Sequence, residues 1–294
     1  MTPPDSLPIV PRPSAAIVKR SAGAENILAR MTSDILDLAQ AHATAIKAAR
    51  FKIGAYELRE ADYQQILLWA QALALPPLTV ITHLANSVYG EFGDVGDDRP
   101  ESRILFALDD GAITSLAWDF EKLPLDIFQW VTGLRVEQLG FMGTPASSPA
   151  LALHLPFLSV LCCGETQLTE LDLSNVPALA KLWCWGNQLT ELDLSNVPAL
   201  TELYCAQNQL TELDLSNVPE LTKLYCWENQ LTELDLSNVP ALTILDCDGN
   251  QLTELDLSNV PALTNLDCQK NQLTELDLSN VPELTKFEIG RAHV

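Results

Sequence analysis

The ten-residue string LTELDLSNVP occurs six times, beginning at Leu168, Leu189, Leu210, Leu231, Leu252 and Leu273, with an unvarying step of 21 residues. A fixed period of that length leaves few options for folding. A unit of this size is too short to enclose a core, so neighbouring units must stack and share one. Between the copies runs a variable segment of the form L-x-x-L-x-C-x-x-N-Q, seen whole in Leu221, Leu224, Cys226, Asn229 and Leu231. Cys163, Cys184, Cys205, Cys226, Cys247 and Cys268 form one column, and Asn187, Asn208, Asn229, Asn250 and Asn271 form another.

Alternation along L-x-C places the leucine and the cysteine on the same side of a short strand. Each coil then buries one apolar set, for example Leu221, Leu224, Cys226, Leu231, Leu234, Leu236 and Val239. Every such side chain contributes roughly 1.5–3 kcal/mol before conformational entropy is charged against it. The asparagine is placed to turn the chain out of the strand and to satisfy backbone groups at the bend. The proline of N-V-P, such as Pro240, has no N–H and belongs in the return segment, outside the ladder.

These columns resemble the leucine-rich-repeat family, whose consensus is L-x-x-L-x-L-x-x-N-x-L. The match runs over roughly residues 158–287. It is most similar to the bacterial 21-residue class in which cysteine replaces the third leucine, as in internalin-J-like proteins. The resemblance implies a curved solenoid, mostly β and coil, with a parallel sheet on its concave side. A nested half-repeat, L-x-x-L-D-L-S, raises the expectation of a second set of short strands and hence sheet on both faces. Weaker units extend the array upstream through Ile113, Leu116 and Trp118, then Val136, Leu139 and Phe141, then Leu158, Leu161 and Cys163. Arg103–Leu108 and Ile113–Trp118 read as strands joined by a tight turn at Asp109-Asp110-Gly111.

The segment before the array has a different pattern. Apolar spacing predicts helices over 25–50 and 57–75, a break at Pro76-Pro77, and a helix from about Leu78 to Tyr89. This helical region is either a cap over the first coil or an independent small domain. The expected organisation is a Pro-rich leader at 1–24, the α-helical cap or domain at 25–100, irregular first repeats at 101–157, the regular array at 158–288, and a tail at 289–294. That tail, Ile289 to Val294, fits no repeat position. It reads as the translation of a sequencing adapter (atc gga aga gca cac gtc), with the natural chain expected to continue in more repeats; a divergent natural terminus is the alternative.

The formal net charge is −22, and residues 1–100 carry only −2 of it, leaving −20 on the remainder. Such a surface disfavours nucleic-acid phosphates and anionic lipid, so neither nucleic acid nor membrane is an expected partner. Seven cysteines without a disulfide-scaffold spacing point to a reducing cytoplasm. Export as an effector by a non-Sec route, ahead of a catalytic domain, is the alternative. The four histidines are scattered and no nucleophile–base, phosphate-loop or zinc spacing is present. The expectation is therefore a protein-interaction module and not an enzyme, with no cofactor.

Positions flanking the cysteine column differ between copies, and there specificity is expected. Before the cysteine they read Cys162, Trp183, Tyr204, Tyr225, Asp246 and Asp267; after it, Gly164, Trp185, Ala206, Trp227, Asp248 and Gln269. Trp183, Trp185, Tyr204, Tyr225 and Trp227 are expected to form an exposed aromatic patch, with Asp246, Asp248 and Asp267 as an acidic patch beside it. A matching partner is a protein with a basic patch, or a glycan. The bland alternative is that aromatics stack as cross-strand pairs. Cys162 is expected to face outward and to be open to reaction. On the other side run near-identical columns of Glu170 to Glu275 and Asp172 to Asp277, read as a solvated acidic face, with calcium binding as the alternative. The cysteine column, one thiol per coil, cannot close a tetrahedron around zinc and reads as small buried hydrophobes.

Overall fold

A computed structural model describes residues 50–86, 106–119, 133–142 and 150–288. The leader, most of the predicted helix at 25–50, the end of the predicted helix at Leu78 to Tyr89 and the tail at 289–294 lie outside the described residues. The chain divides into two units at Ala49/Arg50, and the described residues all belong to the second.

Ten strands form one sheet. Its downstream part is built from β7 (Val160–Cys162), β9 (Lys181–Trp183), β10 (Glu202–Tyr204), β11 (Lys223–Tyr225), β12 (Ile244–Asp246), β13 (Asn265–Asp267) and β14 (Lys286–Glu288). All are parallel and in register at the 21-residue step, with Leu182, Leu203, Leu224 and Leu245 side by side. Upstream, β3 (Ala107–Asp109) and β4 (Ala112–Asp119) form an antiparallel hairpin, and β5 (Gln138–Met142) joins β4 to β7. The pairing Leu116–Leu139–Leu161 follows the register expected for the irregular first repeats. The core is one continuous cluster of leucine, valine and cysteine along the array.

The asparagine column welds the coils together. Asn208 Nδ2 donates to Cys184 O at 3.0 Å and Cys205 O at 3.1 Å, while its Oδ1 accepts from the Leu189 N–H at 3.0 Å. Asn187, Asn229 and Asn250 repeat these bonds. In the first regular coil Thr166 stands at the asparagine position and donates to Cys163 O at 2.7 Å. A threonine ladder runs alongside, each hydroxyl donating to a carbonyl one coil back, as from Thr222 to Thr201 O at 2.9 Å.

The second sheet differs from expectation. Only β6 (Ala150–Ala152) and β8 (Glu170–Asp172) pair there, and the later Glu-Leu-Asp segments form no ladder. Alanines face Glu170 and Asp172 across that one pair. The next coil would set Glu191 against Glu170 and Asp193 against Asp172, and like charges directly opposite disfavour strand pairing. The carboxylates and largely buried leucines instead line a long open groove.

Residues 50–86 form a short hairpin, β1 (Phe51–Ile53) and β2 (Tyr56–Leu58), then α1 (Glu60–Leu73) and α2 (Pro77–Asn86). The hairpin is an addition to the helices expected from the apolar spacing; β2 occupies the start of the stretch read as helix from 57. Trp69 of α1 meets Trp118 of β4 edge-on at 4.9 Å, and Val80, Ile81 and Leu84 of α2 join the same core as the coils. Buried Asp62 accepts the Ile113 N–H at 2.8 Å, which satisfies a backbone donor of the first coil. Arg50 and Arg59 both pair with Asp110 at the β3–β4 turn. No single helix among the described residues is long and apolar enough to cross a membrane.

Candidate interaction surface

Strand alternation separates two faces. Leu182 and Cys184 enter the core, whereas Trp183 belongs to a second apolar cluster with Ala117 and Cys162, against which Val160, Trp185 and Tyr204 pack. That cluster is made of residues on the ten-stranded sheet and its strand ends alone. The strand register sets Trp183, Tyr204, Tyr225, Asp246 and Asp267 in one row. Trp185, Trp227 and Asp248 lie two residues further on, where coil-to-coil bonds continue through Glu165 N–H to Trp185 O and Glu228 N–H to Asp248 O. The eight residues singled out from sequence therefore share one face.

They are not all exposed there. Trp183 is 5% exposed and Tyr225 6%; Trp185, Tyr204 and Trp227 are half-buried. The rings shield one another: Tyr204 and Tyr225 stack with centroids 3.8 Å apart and planes 22° from parallel. The Trp185 indole lies across Gly164, where a Cβ would come within 2.6 Å of Nε1. Strand alternation says which face a side chain takes, but not how far its neighbours cover it. Cys162 departs from expectation in the same way. It is on this face but only 1% exposed, and burial pushes its thiol up to about 12.

The acidic residues are half-buried as well. Asp246 Oδ1 accepts the Asp248 N–H at 3.3 Å, Asp267 Oδ1 accepts the Gln269 N–H at 3.1 Å, and Lys270 Nζ stands 2.9 Å from Asp248 Oδ2. Burial pushes the Asp246 carboxyl up to about 7, against the Asp248 N–H bond that favours its anion. Asp267 is raised too, again mainly by burial. Sequence reasoning missed an ion-pair row on the same face: Glu202 Oε1 accepts from Lys181 at 3.1 Å and Lys223 at 3.3 Å. The alternating sign at 181, 202 and 223 was the available signal.

On the opposite side the aspartates cap turns. Asp172, Asp193, Asp214, Asp235, Asp256 and Asp277 each accept the N–H of the serine two residues on, at 2.8–2.9 Å. Those serine bonds hold their carboxyls below the usual range.

The family profile described as Leucine Rich repeats (2 copies) matches residues 177–217, 198–238 and 219–259. The repeat array belongs to the leucine-rich-repeat family. Among solved structures, InlP of Listeria monocytogenes is 24% identical, with a TM-score of 0.55 over 79% of this chain and 67% of that one. The functional domain of InlJ from Listeria monocytogenes, described as including a cysteine ladder, is 34% identical, with a TM-score of 0.48 over 62% of this chain. This chain spans 38% of that domain. YopM from Yersinia enterocolitica is 26% identical, with a TM-score of 0.45 over 53% of this chain and 38% of that one. No curated protein matches in sequence. The InlP likeness supports the solenoid fold.

Proposed function

We propose that this leucine-rich-repeat chain is a protein-interaction module that binds its partner on the outer face of the ten-stranded sheet, the concave face in curved solenoids. The observation that carries the reading is the second apolar cluster on that face, continued by half-buried Trp227 and the adjoining carboxylates. Half-buried tryptophan and tyrosine rings offer large contact area at little entropic cost, which is why such residues dominate binding hot spots. The contact residues are Trp185, Tyr204, Trp227, Asp246, Asp248 and Asp267, with buried Trp183 and Tyr225 packed against them. Seven unpaired cysteines support a reducing compartment as the place where it works.

A displayed library of random linear peptides, panned on the purified chain, tests this. Selected peptides are expected to lose at least tenfold in affinity to Trp185→Ala with Trp227→Ala, while the variant keeps its circular dichroism and Tm. Peptides that bind this variant as tightly as the parent would reject the reading.

A further inference from the structure

The outer face changes character between β11 and β12, across directly paired strands. Tyr225 is the register partner of Asp246, and Asp246 is that of Asp267. Three half-buried carboxylates stand there with Lys270, whose side chain is 70% exposed. Asp248 Oδ1 is buried without a hydrogen-bond partner, and so is Trp183 Nε1 at the aromatic end. Polar atoms buried without partners are costly, and groups that satisfy them bind favourably. One end of the face thus lacks a donor and the other an acceptor.

We propose that the boundary between Tyr225, Trp227 and Asp246, Asp248, Asp267 receives a lysine or arginine side chain from an extended segment of the protein partner, with an apolar residue and a carbonyl of that segment at the Trp183–Trp185 end. This rests on the proposed protein-binding role of the same face. Coils step by about 4.8 Å, so three steps from the Trp183 coil to the Asp248 coil span about 14 Å. An extended chain at roughly 3.3 Å per residue covers that in about four residues. The cation gains ion pairing on one side and aromatic faces on the other. A neutral segment would leave Asp248 Oδ1 unpaired.

The same geometry makes binding pH-dependent. Asp246 is faced by Asp248 of its own coil, by Asp267 and Lys270 of the next, and by Tyr225 of the one before; Glu288 adjoins Asp267 beyond. An arriving cation favours the Asp246 anion, so its carboxyl falls below about 7 in the complex. Binding then releases a proton at pH below 7, and affinity rises with pH until the free carboxyl is ionised. With the bound carboxyl still ionised at pH 6, the loss between pH 8 and pH 6 approaches tenfold.

The test uses histidine-free peptides from the same displayed library, measured by titration calorimetry. Expected are peptides with lysine or arginine three to five residues from leucine or an aromatic residue. Replacing lysine with norleucine, or arginine with citrulline, should weaken wild-type binding at least tenfold. Asp246→Asn with Asp248→Asn should do the same while keeping its circular dichroism, and Asp246→Asn alone should flatten the pH dependence. Selection of neutral or acidic peptides, or of none, overturns the inference. Peptides lost to Trp185→Ala with Trp227→Ala but indifferent to the aspartate variants overturn it while leaving the interaction face in place. Indifference to both variants overturns both.

Discussion

At the scale of single residues, the asparagine column shows why this fold tolerates so little variation at one position. Asn208 holds three carbonyls and one N–H from two coils. Asn208→Ala should cost about 2–3 kcal/mol, because it strands buried backbone groups; a denaturant titration would show it, and Asn208→Ser should recover part. The residue before each asparagine takes a positive φ, as at Gln207 (53°), Glu228 (51°) and Gly249 (66°). A side chain in that conformation costs roughly 1 kcal/mol. Glu228→Gly should therefore stabilise the protein by about that much, read as a rise in Tm. The Leu, Cys and Asn columns were legible because each recurs at an exact spacing. The burial of Trp183 and Tyr225 was not. It depends on rings from neighbouring coils, as where Tyr204 packs against Trp183 and stacks on Tyr225, which no single strand encodes. The buried thiols should likewise resist a thiol reagent such as DTNB in the native protein and all react once it is unfolded.

At the scale of elements, charge decides where a second sheet can exist. The β6–β8 pair forms with alanine opposite glutamate and aspartate, and the pairing stops where acid would meet acid. Screening these columns should stabilise the array, so Tm should rise between 10 mM and 500 mM NaCl. Glu191→Thr with Glu212→Thr should raise Tm at low salt and reduce that dependence. A Tm indifferent to salt in both proteins would show that the carboxylates do not set the limit of the sheet. The half-repeat suggests strands on both faces because L-x-L alternation carries no information about the neighbour's charge. The β1–β2 hairpin escapes a sequence reading for another reason: three-residue strands are too short to show a period.

Across the whole molecule, the two sets of acids push stability in opposite directions with pH. Asp246 and Asp267 have raised carboxyl values in the folded state. Asp246 favours folding when protonated and costs stability as pH rises from about 4 through about 7, and Asp267 acts in the same direction. The capping aspartates, such as Asp193 and Asp214, have lowered values, so their contribution is present above the ordinary carboxyl range and is lost in acid. Stability should therefore peak in mildly acid solution, and Asp246→Asn should flatten the decline between pH 5 and pH 8. The solenoid itself could be read from the repeat. Which of its two long faces binds could only be argued from variable positions, because the opposite face repeats almost without change.

That choice of face can be measured directly by hydroxyl-radical footprinting of the chain with and without a selected peptide. Side chains on the outer sheet face, Trp185, Tyr204 and Trp227, should lose reactivity on binding, while the leucines lining the acidic groove, Leu192, Leu213 and Leu234, keep theirs. Protection of the groove leucines with the aromatic rings unchanged would contradict the account.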